Sequence, residues 1–392
     1  MDNIWSENKY INLLINLLLF LVGINIFHYG QLLLPIICLI LFIDNGLDFK
    51  VNSVKVFVIL CLFGVSFYAF SYKLGFYSVM GFTLPMAYYI GSNIKAKDEN
   101  SVKKVIYLLA ISMALHVVLN SVYEIIVHGK HGFFFSSSHY DIWTRDKIVS
   151  TAIAVDIDLL LACFYYLLFH ETNMKIKVRC FAILAEAMFY LIVIGRRTQL
   201  LILVIVMFVS FLYEALITKT INSKQRKQLL RISISVLIIF LLLLIMYSFN
   251  LFGFKAFVEE LKLVQKLKRG LISDERIKVF FDSIKLLPLH LFGGQKISET
   301  LGIQIHHFWL DIYDYAGIVP FILICLYSLH YLKTFIMILR EQKISSSFKT
   351  LIIGLFTCIF IQMNLEPMMT GASIFVIISV IIGTLNERIV HE

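Results

Sequence analysis

Apolar residues run for about 17–25 positions at a time along most of this chain, with short polar breaks between the runs. Runs of that length without charges are long enough to cross about 30 Å of hydrocarbon. The pattern predicts about twelve spans, at 10–27, 31–43, 54–70, 76–91, 103–127, 149–169, 180–195, 198–217, 232–251, 308–332, 350–365 and 370–385. The second and seventh runs are short, as tilted or re-entrant segments are. The fold class expected is therefore all-α: a polytopic integral membrane protein, with residues 1–392 forming a single transmembrane domain.

Two polar segments interrupt the pattern. The smaller, 128–148, carries His128, His131, three serines, His139, Asp141, Trp143, Arg145 and Asp146. The larger, 252–307, lies between the ninth and tenth spans and is too long to be a bare connection. Within it Phe254, Phe257, Val258, Leu261, Val264 and Leu267 recur at spacings of three and four, with Glu259, Lys262, Lys266 and Lys268 between them. That is an amphipathic helix suited to lie on a membrane or on the protein's own spans. A second helix is expected to open at Ser273, with Asp274 and Glu275 in its first turn and Pro288 as its stop. Gly293-Gly294 then reads as a flexible turn.

Composition agrees with a membrane solvent: 59% hydrophobic and only 16% charged residues, with a mean hydropathy of +0.84. Soluble domains carry about 25% charged residues. The net charge of +9 would suit a nucleic-acid partner, but the basic residues cluster in short loops at alternate span ends. That clustering is an orientation signal, and no nucleic-acid partner is expected. The loops holding Lys50 and Lys55, Lys95 to Lys104, Lys175 to Arg179, Lys219 to Arg231, and Lys333 to Lys349 agree on one topology. Both termini are then cytoplasmic, and 128–148 and 252–307 face outside. Asp2, Glu7 and Lys9 precede the first span without a small-residue cleavage site, so retention of the N-terminus is expected. The six cysteines have no paired spacing and read as packing residues, neither disulfides nor metal ligands.

Candidate chemistry gathers at span ends. Arg196-Arg197 separates two apolar runs on the outer side, against the positive-inside bias. Either the guanidinium groups reach lipid phosphates, or they bind an anion. Arg276 opens a loop helix, where a cation opposes the helix dipole. It is either paired with Asp274 or Glu275, or aimed at a bound anion. His306-His307-Phe308-Trp309-Leu310 stands where the long loop meets the tenth span. Adjacent histidines lack the spacing of a two-histidine metal site, so no metal is expected. His307 and Asp311 form an i, i+4 pair. Trp309 suits an interfacial aromatic belt. Asp311 and Asp314 either face a water-filled cavity or orient a histidine. Glu366, in a tight turn between the last two spans, is placed to reach the same cavity. The histidines and serines of 128–148 are read as a solvated loop in preference to a sugar contact.

These pieces resemble the O-antigen polymerase and O-antigen ligase superfamily of bacterial membrane glycosyltransferases. The likeness covers residues 180 to 385. It rests on Gly195-Arg196-Arg197-Thr198 opening a span, an arginine-led helix from Arg276 to Pro288, and Leu291-Phe292-Gly293-Gly294. His306-His307-Phe308-Trp309-Leu310 then runs on to Ala316-Gly317-Ile318. The family usually has Asn where this chain has His307, and Ser or a small residue where it has Arg196. Position within the motifs selects His306 and Arg197. The resemblance implies a GT-C-like fold and a metal-independent, cofactor-free enzyme acting on the outer face of the bacterial cytoplasmic membrane. It implies a saccharide donor and acceptor carried on undecaprenyl pyrophosphate. Polymerases of O-antigen, capsule or exopolysaccharide transfer the growing chain to the next lipid-linked repeat unit; ligases transfer it to lipid A core. Membrane lipids, a chain-length regulator and a flippase are the partners such a system implies.

Residue chemistry runs parallel to the likeness. A pyrophosphate leaving group needs charge neutralisation more than a proton, which Arg197 and Arg276 could supply. The attacking hydroxyl needs a base, a role that imidazole chemistry suits, so His306 is expected to take that proton or to bind phosphate instead. Arg196, His307, Trp309, Asp311 and Glu366 are expected as substrate-binding residues. Twelve spans would also suit a lipid-linked oligosaccharide flippase or other transporter. Such folds often show two similar halves and polar sites at the membrane midplane, and neither is read in this sequence. A non-enzymatic scaffold of an envelope assembly is a further reading.

Overall fold

The structure is a computed structural model that describes residues 4–71, 79, 81–95, 98–135, 139–148, 150–218, 231, 242, 245–251, 254–260, 264, 275–365 and 372–385. Seventeen α-helices lie among them: α1 (Lys9–Gly23), α2 (Leu34–Asp44), α3 (Val54–Phe70), α4 (Thr83–Ser92), α5 (Glu99–Phe135), α6 (Ser150–Val155), α7 (Asp158–Ala162), α8 (Phe164–Phe169), α9 (Met174–Val193), α10 (Thr198–Leu212), α11 (Phe254–Glu260), α12 (Glu275–Leu286), α13 (Lys296–Leu301), α14 (Phe308–Ala316), α15 (Ile318–Arg340), α16 (Ser346–Leu365) and α17 (Ala372–Leu385). One two-residue hairpin, β1 (His139–Tyr140) with β2 (Lys147–Ile148), is antiparallel.

Among the described residues, four helices are long and apolar enough to cross a membrane: Glu99–Gly129 of α5, Thr198–Ile217, α15 and α16. The expected runs 10–27, 31–43, 54–70, 103–127, 180–195, 198–217, 350–365 and 370–385 coincide with helices. Residues 232–251 lie largely outside the described residues, as does most of 261–274 after α11. Two expectations change. The run 149–169 is not one helix but three short ones, α6, α7 and α8. The run 308–332 is broken at Gly317, whose φ of +83° ends α14 and starts α15. Helix starts follow ordinary capping: Asn8 accepts from the Tyr10 N–H, Ser53 from Val56, and Asn173 from Lys175 and Ile176.

Helix surfaces are apolar where they face away from the protein. Tyr10, Leu13, Leu14 and Leu17 on α1 are exposed, as are Val54, Val58, Leu62 and Val65 on α3, and Ile322, Leu326, Leu329 and Ile336 on α15. Each set, with Leu332 between Leu329 and Ile336 on α15, recurs every three or four residues, so it forms one outward stripe per helix. Exposed stripes of that kind need a non-aqueous neighbour.

Hydrogen bonds sort the helix ends into two groups. Lys95 pairs with Asp44, Asn45 with Asn93, Asn52 with the Gly383 carbonyl, Tyr107 with Glu171, and Ser345 with Glu99. The other end gathers the α1–α2 turn and the 139–148 hairpin, where Trp143 Nε1 donates to the Ile24 carbonyl at 3.1 Å. The hairpin is folded into the protein, contrary to the solvated loop expected. His139 and Asp141 are buried, and Asp141 Oδ1 accepts from the Trp143 and Thr144 amides at 2.8 and 3.1 Å.

Candidate functional site

Residues 287–317 form a compact cap with its own small core of Ile297, Ile305, Leu310 and Tyr313, against which Val279, Phe280 and Leu287 pack. Its hinge is a backbone contact between two glycines far apart in sequence. A Cβ on Gly293 would lie 2.5 Å from the Gly317 nitrogen, and one on Gly317 would lie 2.5 Å from the Leu291 carbonyl oxygen. The Gly294 amide donates to Tyr315 at 3.0 Å, and the Ile318 amide to Leu291 at 2.9 Å. Gly293-Gly294 is therefore a fixed junction where a flexible turn was expected, because side chains there would push Ala316-Gly317 away.

Asp314 faces neither a cavity nor a histidine. Its carboxylate accepts from the Ile297 amide at 2.9 Å and from the Ser298 hydroxyl, so it caps the start of α13. Tyr313 adds a hydroxyl bond to the Leu287 carbonyl at 2.6 Å.

This cap brings His306 and His307 against α12. Together Val279 and Phe280, Ile305 to His307, and Asn364 and Leu365 at the end of α16 line a cavity of about 220 Å³. His307 is extended (φ −156°, ψ 120°) and precedes α14. Its ring centroid lies 4.9 Å from Phe280 and 5.5 Å from Trp309. Burial pushes its pKa below the ordinary imidazole value, and a hydrogen bond with Asn364 opposes the shift. Trp309 is held inside the protein, its Nε1 donating to Ser328 Oγ at 3.1 Å. The i, i+4 relation of His307 and Asp311 is realised in the backbone: the Asp311 amide donates to the His307 carbonyl at 2.8 Å, and Asp311 is buried. Arg276 occupies α12 one turn before Phe280, but its side chain lies outside the described residues, as does all of Glu366.

The arginine pair is set by a helix-ending turn. Gly195, at φ +75°, donates to the Ile192 carbonyl at 3.1 Å, and the Arg196 amide reaches back to Leu191 at 2.9 Å. This is the glycine-dependent Schellman termination. Arg197 is then the N-cap of α10. A cation there works against the helix dipole, so two guanidinium groups and the dipole's positive end share one small region. Helices α10 and α16 run antiparallel: Thr350 Oγ1 donates to Glu214 Oε1 at 2.8 Å, and Val206 lies beside Gly354. The Arg197 end of α10 therefore points toward the C-terminal end of α16, which carries Asn364 and Leu365.

Sequence reading passed over several buried polar groups. Gln199 and Gln362, both fully buried, have amides without a hydrogen-bond partner among the described residues, one in the first turn of α10 and the other in the last turn of α16. Ser283 is similarly buried on α12. Deeper, His116 Nδ1 lies 2.6 Å from Asp156 Oδ2 and its Nε2 lies 3.3 Å from Asp141 Oδ2. A buried polar cluster that the sequence did not disclose is thus present. It was hidden because Asp141 and Asp156 lie 25 and 40 residues from His116 and close on it only in the fold. Among the described residues, no three His, Cys, Asp or Glu side chains are arranged to hold a metal ion. No protein-family model matches the chain, and no curated protein matches it in sequence.

Proposed function

We propose that the protein is a polysaccharide polymerase of the O-antigen, capsule or exopolysaccharide type. It transfers a glycan from undecaprenyl pyrophosphate to the next lipid-linked repeat unit, on the outer face of a bacterial cytoplasmic membrane. The observation that carries the reading is the cavity itself. It brings the histidine run, the arginine-led helix and the end of α16 together, and the Arg196-Arg197 turn opens α10, a helix packed against α16. In the sequence these segments are separated by up to about 170 positions.

In this reading Arg197 and Arg276 hold the diphosphate and neutralise charge as the glycosidic C–O bond to it breaks. His306 removes the proton from the attacking acceptor hydroxyl as the new C–O bond forms. His307, kept neutral by burial, and Asn364 position the acceptor, and Trp309 fixes the His307 ring from the side. Arg196, Asp311 and Glu366 complete the polar surroundings. No metal or cofactor takes part in the proposed step. The fold is of the GT-C type in this reading, and both termini lie in the cytoplasm.

Purified protein supplied with lipid-linked repeat units should give a ladder of products of increasing length. Transfer of a single block to lipid A core would make it a ligase. Unchanged substrate, with folded protein present, would overturn the glycosyltransferase reading. One observation favours a transporter instead: the His116–Asp156–Asp141 cluster inside the bundle, since buried ionisable groups in spans often mark translocation paths. Labelled lipid moving across a liposome bilayer without chain lengthening would select that second reading.

A further inference from the structure

Helix α12 is divided into three faces. Val279, Phe280, Ser283, Leu286 and Leu287 turn inward onto the cap and the cavity, all half-buried or buried. Lys278 and Lys285 are exposed on a second face, beside Asp282, which pairs with Lys285 at 2.9 Å. The third face is apolar and equally exposed: Phe281 at 58% and Ile284 at 42%. At about 100° per residue, positions 281 and 284 fall between the inward face and the lysines. The turn that follows continues the exposed apolar surface with Leu289 at 71%, Leu291 at 43% and Phe292 at 77%. Five large apolar side chains on one short polar-flanked segment exceed the scattered exposure expected of a water-facing loop.

Two features say what covers this surface. The first is continuity. The Leu291 carbonyl accepts from the Ile318 amide at 2.9 Å, and Ile318, Val319 and Ile322 begin the outward apolar stripe of α15, a helix able to span a membrane. The patch is thus level with the start of that span and runs into its lipid-facing side. The second is charge. Lys278 and Lys285 stand on the face of α12 next to the apolar one, the arrangement that suits an anionic headgroup layer above acyl chains.

We propose that α12 and the turn 287–292 form a membrane-docked flap. Phe281, Ile284, Leu289 and Phe292 insert into the acyl-chain boundary of the adjacent leaflet, and the lysines engage anionic phospholipid headgroups. The opposite face of the same helix carries Val279 and Phe280, which wall the cavity. One helix therefore separates the cavity from lipid. Its docking fixes the height of the site relative to the bilayer and leaves a route from leaflet to cavity beneath it. The surface exists whatever the cavity binds, so the inference stands apart from the glycosyltransferase reading.

Tryptophan placed singly at three positions tests it, with the full-length protein reconstituted in vesicles of zwitterionic lipid with or without phosphatidylglycerol. Difference spectra against the unsubstituted protein remove the signal of its three native tryptophans. Leu289→Trp and Phe292→Trp should emit to the blue and lose most of their emission to lipids brominated in the acyl chains, with little quenching by acrylamide. Lys285→Trp, on the polar face, should show the reverse. Lys278→Glu with Lys285→Glu should reduce the acyl-chain quenching at position 292 in phosphatidylglycerol vesicles more than in zwitterionic ones. Quenching of all three probes by acrylamide would overturn the proposal, since the flap would then stand in water. Protection of positions 289 and 292 from both quenchers would also overturn it, since another protein surface would then cover the patch. The emission readout needs no enzymatic activity, so its failure is distinct from failure of the proposed function.

Discussion

His306 and His307 border one cavity, and His307 is packed between two aromatic rings and shifted by burial. Its pKa lies below the ordinary 6.5, so the folded protein resists a proton that the unfolded chain accepts. The unfolded state then binds more protons as pH falls through the ordinary imidazole range, and stability is lost on acidification, with no effect above it. We expect His307→Gln to flatten that fall: between pH 7.5 and 5, the apparent Tm of the variant in detergent should drop less than that of the unsubstituted protein. An equal drop would place the titration elsewhere. For His306, alanine should reduce polymer formation by about 10²–10⁴, the usual worth of a positioned base. Arg197→Ala should cost about 10²–10³, the usual worth of one charge-stabilising donor, with partial recovery in Arg197→Lys. These residues were legible in the sequence because charged and imidazole groups stand out against apolar runs. Gln199, Gln362 and His116 were not, because a single polar residue within an apolar run gives no sign of its partners.

At the scale of elements, the cap depends on two junctions. Gly317→Ala would set a Cβ 2.5 Å from the Leu291 carbonyl oxygen at φ +83°, and we expect it to cost about 1–3 kcal/mol. Asp314→Ala should remove the α13 cap, for about 0.5–2 kcal/mol. Thermal melts in detergent check both, and a Gly317→Ala protein as stable as the parent would remove the junction. Helix starts and stops were readable where short-range chemistry decides them: Pro288 sits two residues past the end of α12, in the turn that follows it, and Gly195 ends α9. The breaks at Gly317 and in 149–169 were not readable, because isolated polar residues such as Asp156, Asp158 and Asp314 leave the hydrophobic signal strong enough to run on through a kink. The role of Asp314 was equally hidden, since its partners lie 16 and 17 residues before it.

For the whole molecule, apolar periodicity disclosed the helical, membrane-facing character, and the exposed stripes of α1, α3 and α15 agree with it. The grouping of helix ends was legible too, because basic loops alternate with polar ones. Which end faces the cytoplasm is open to labelling with a membrane-impermeant thiol reagent in intact cells. Against the background of the six native cysteines, Lys285→Cys should react and Lys50→Cys should not. The reverse pattern would invert the topology. The bundle's polar interior could not be read, since it is assembled from α5, the 139–148 hairpin and the α6–α7 break. The most direct measurement follows product length with purified protein in proteoliposomes carrying labelled lipid-linked repeat units, comparing the parent with folded His306→Ala and Arg197→Ala variants. We predict a ladder of lengthened glycan from the parent and only the starting repeat unit from both variants. A ladder from His306→Ala and Arg197→Ala equal to the parent's would contradict catalysis at this cavity.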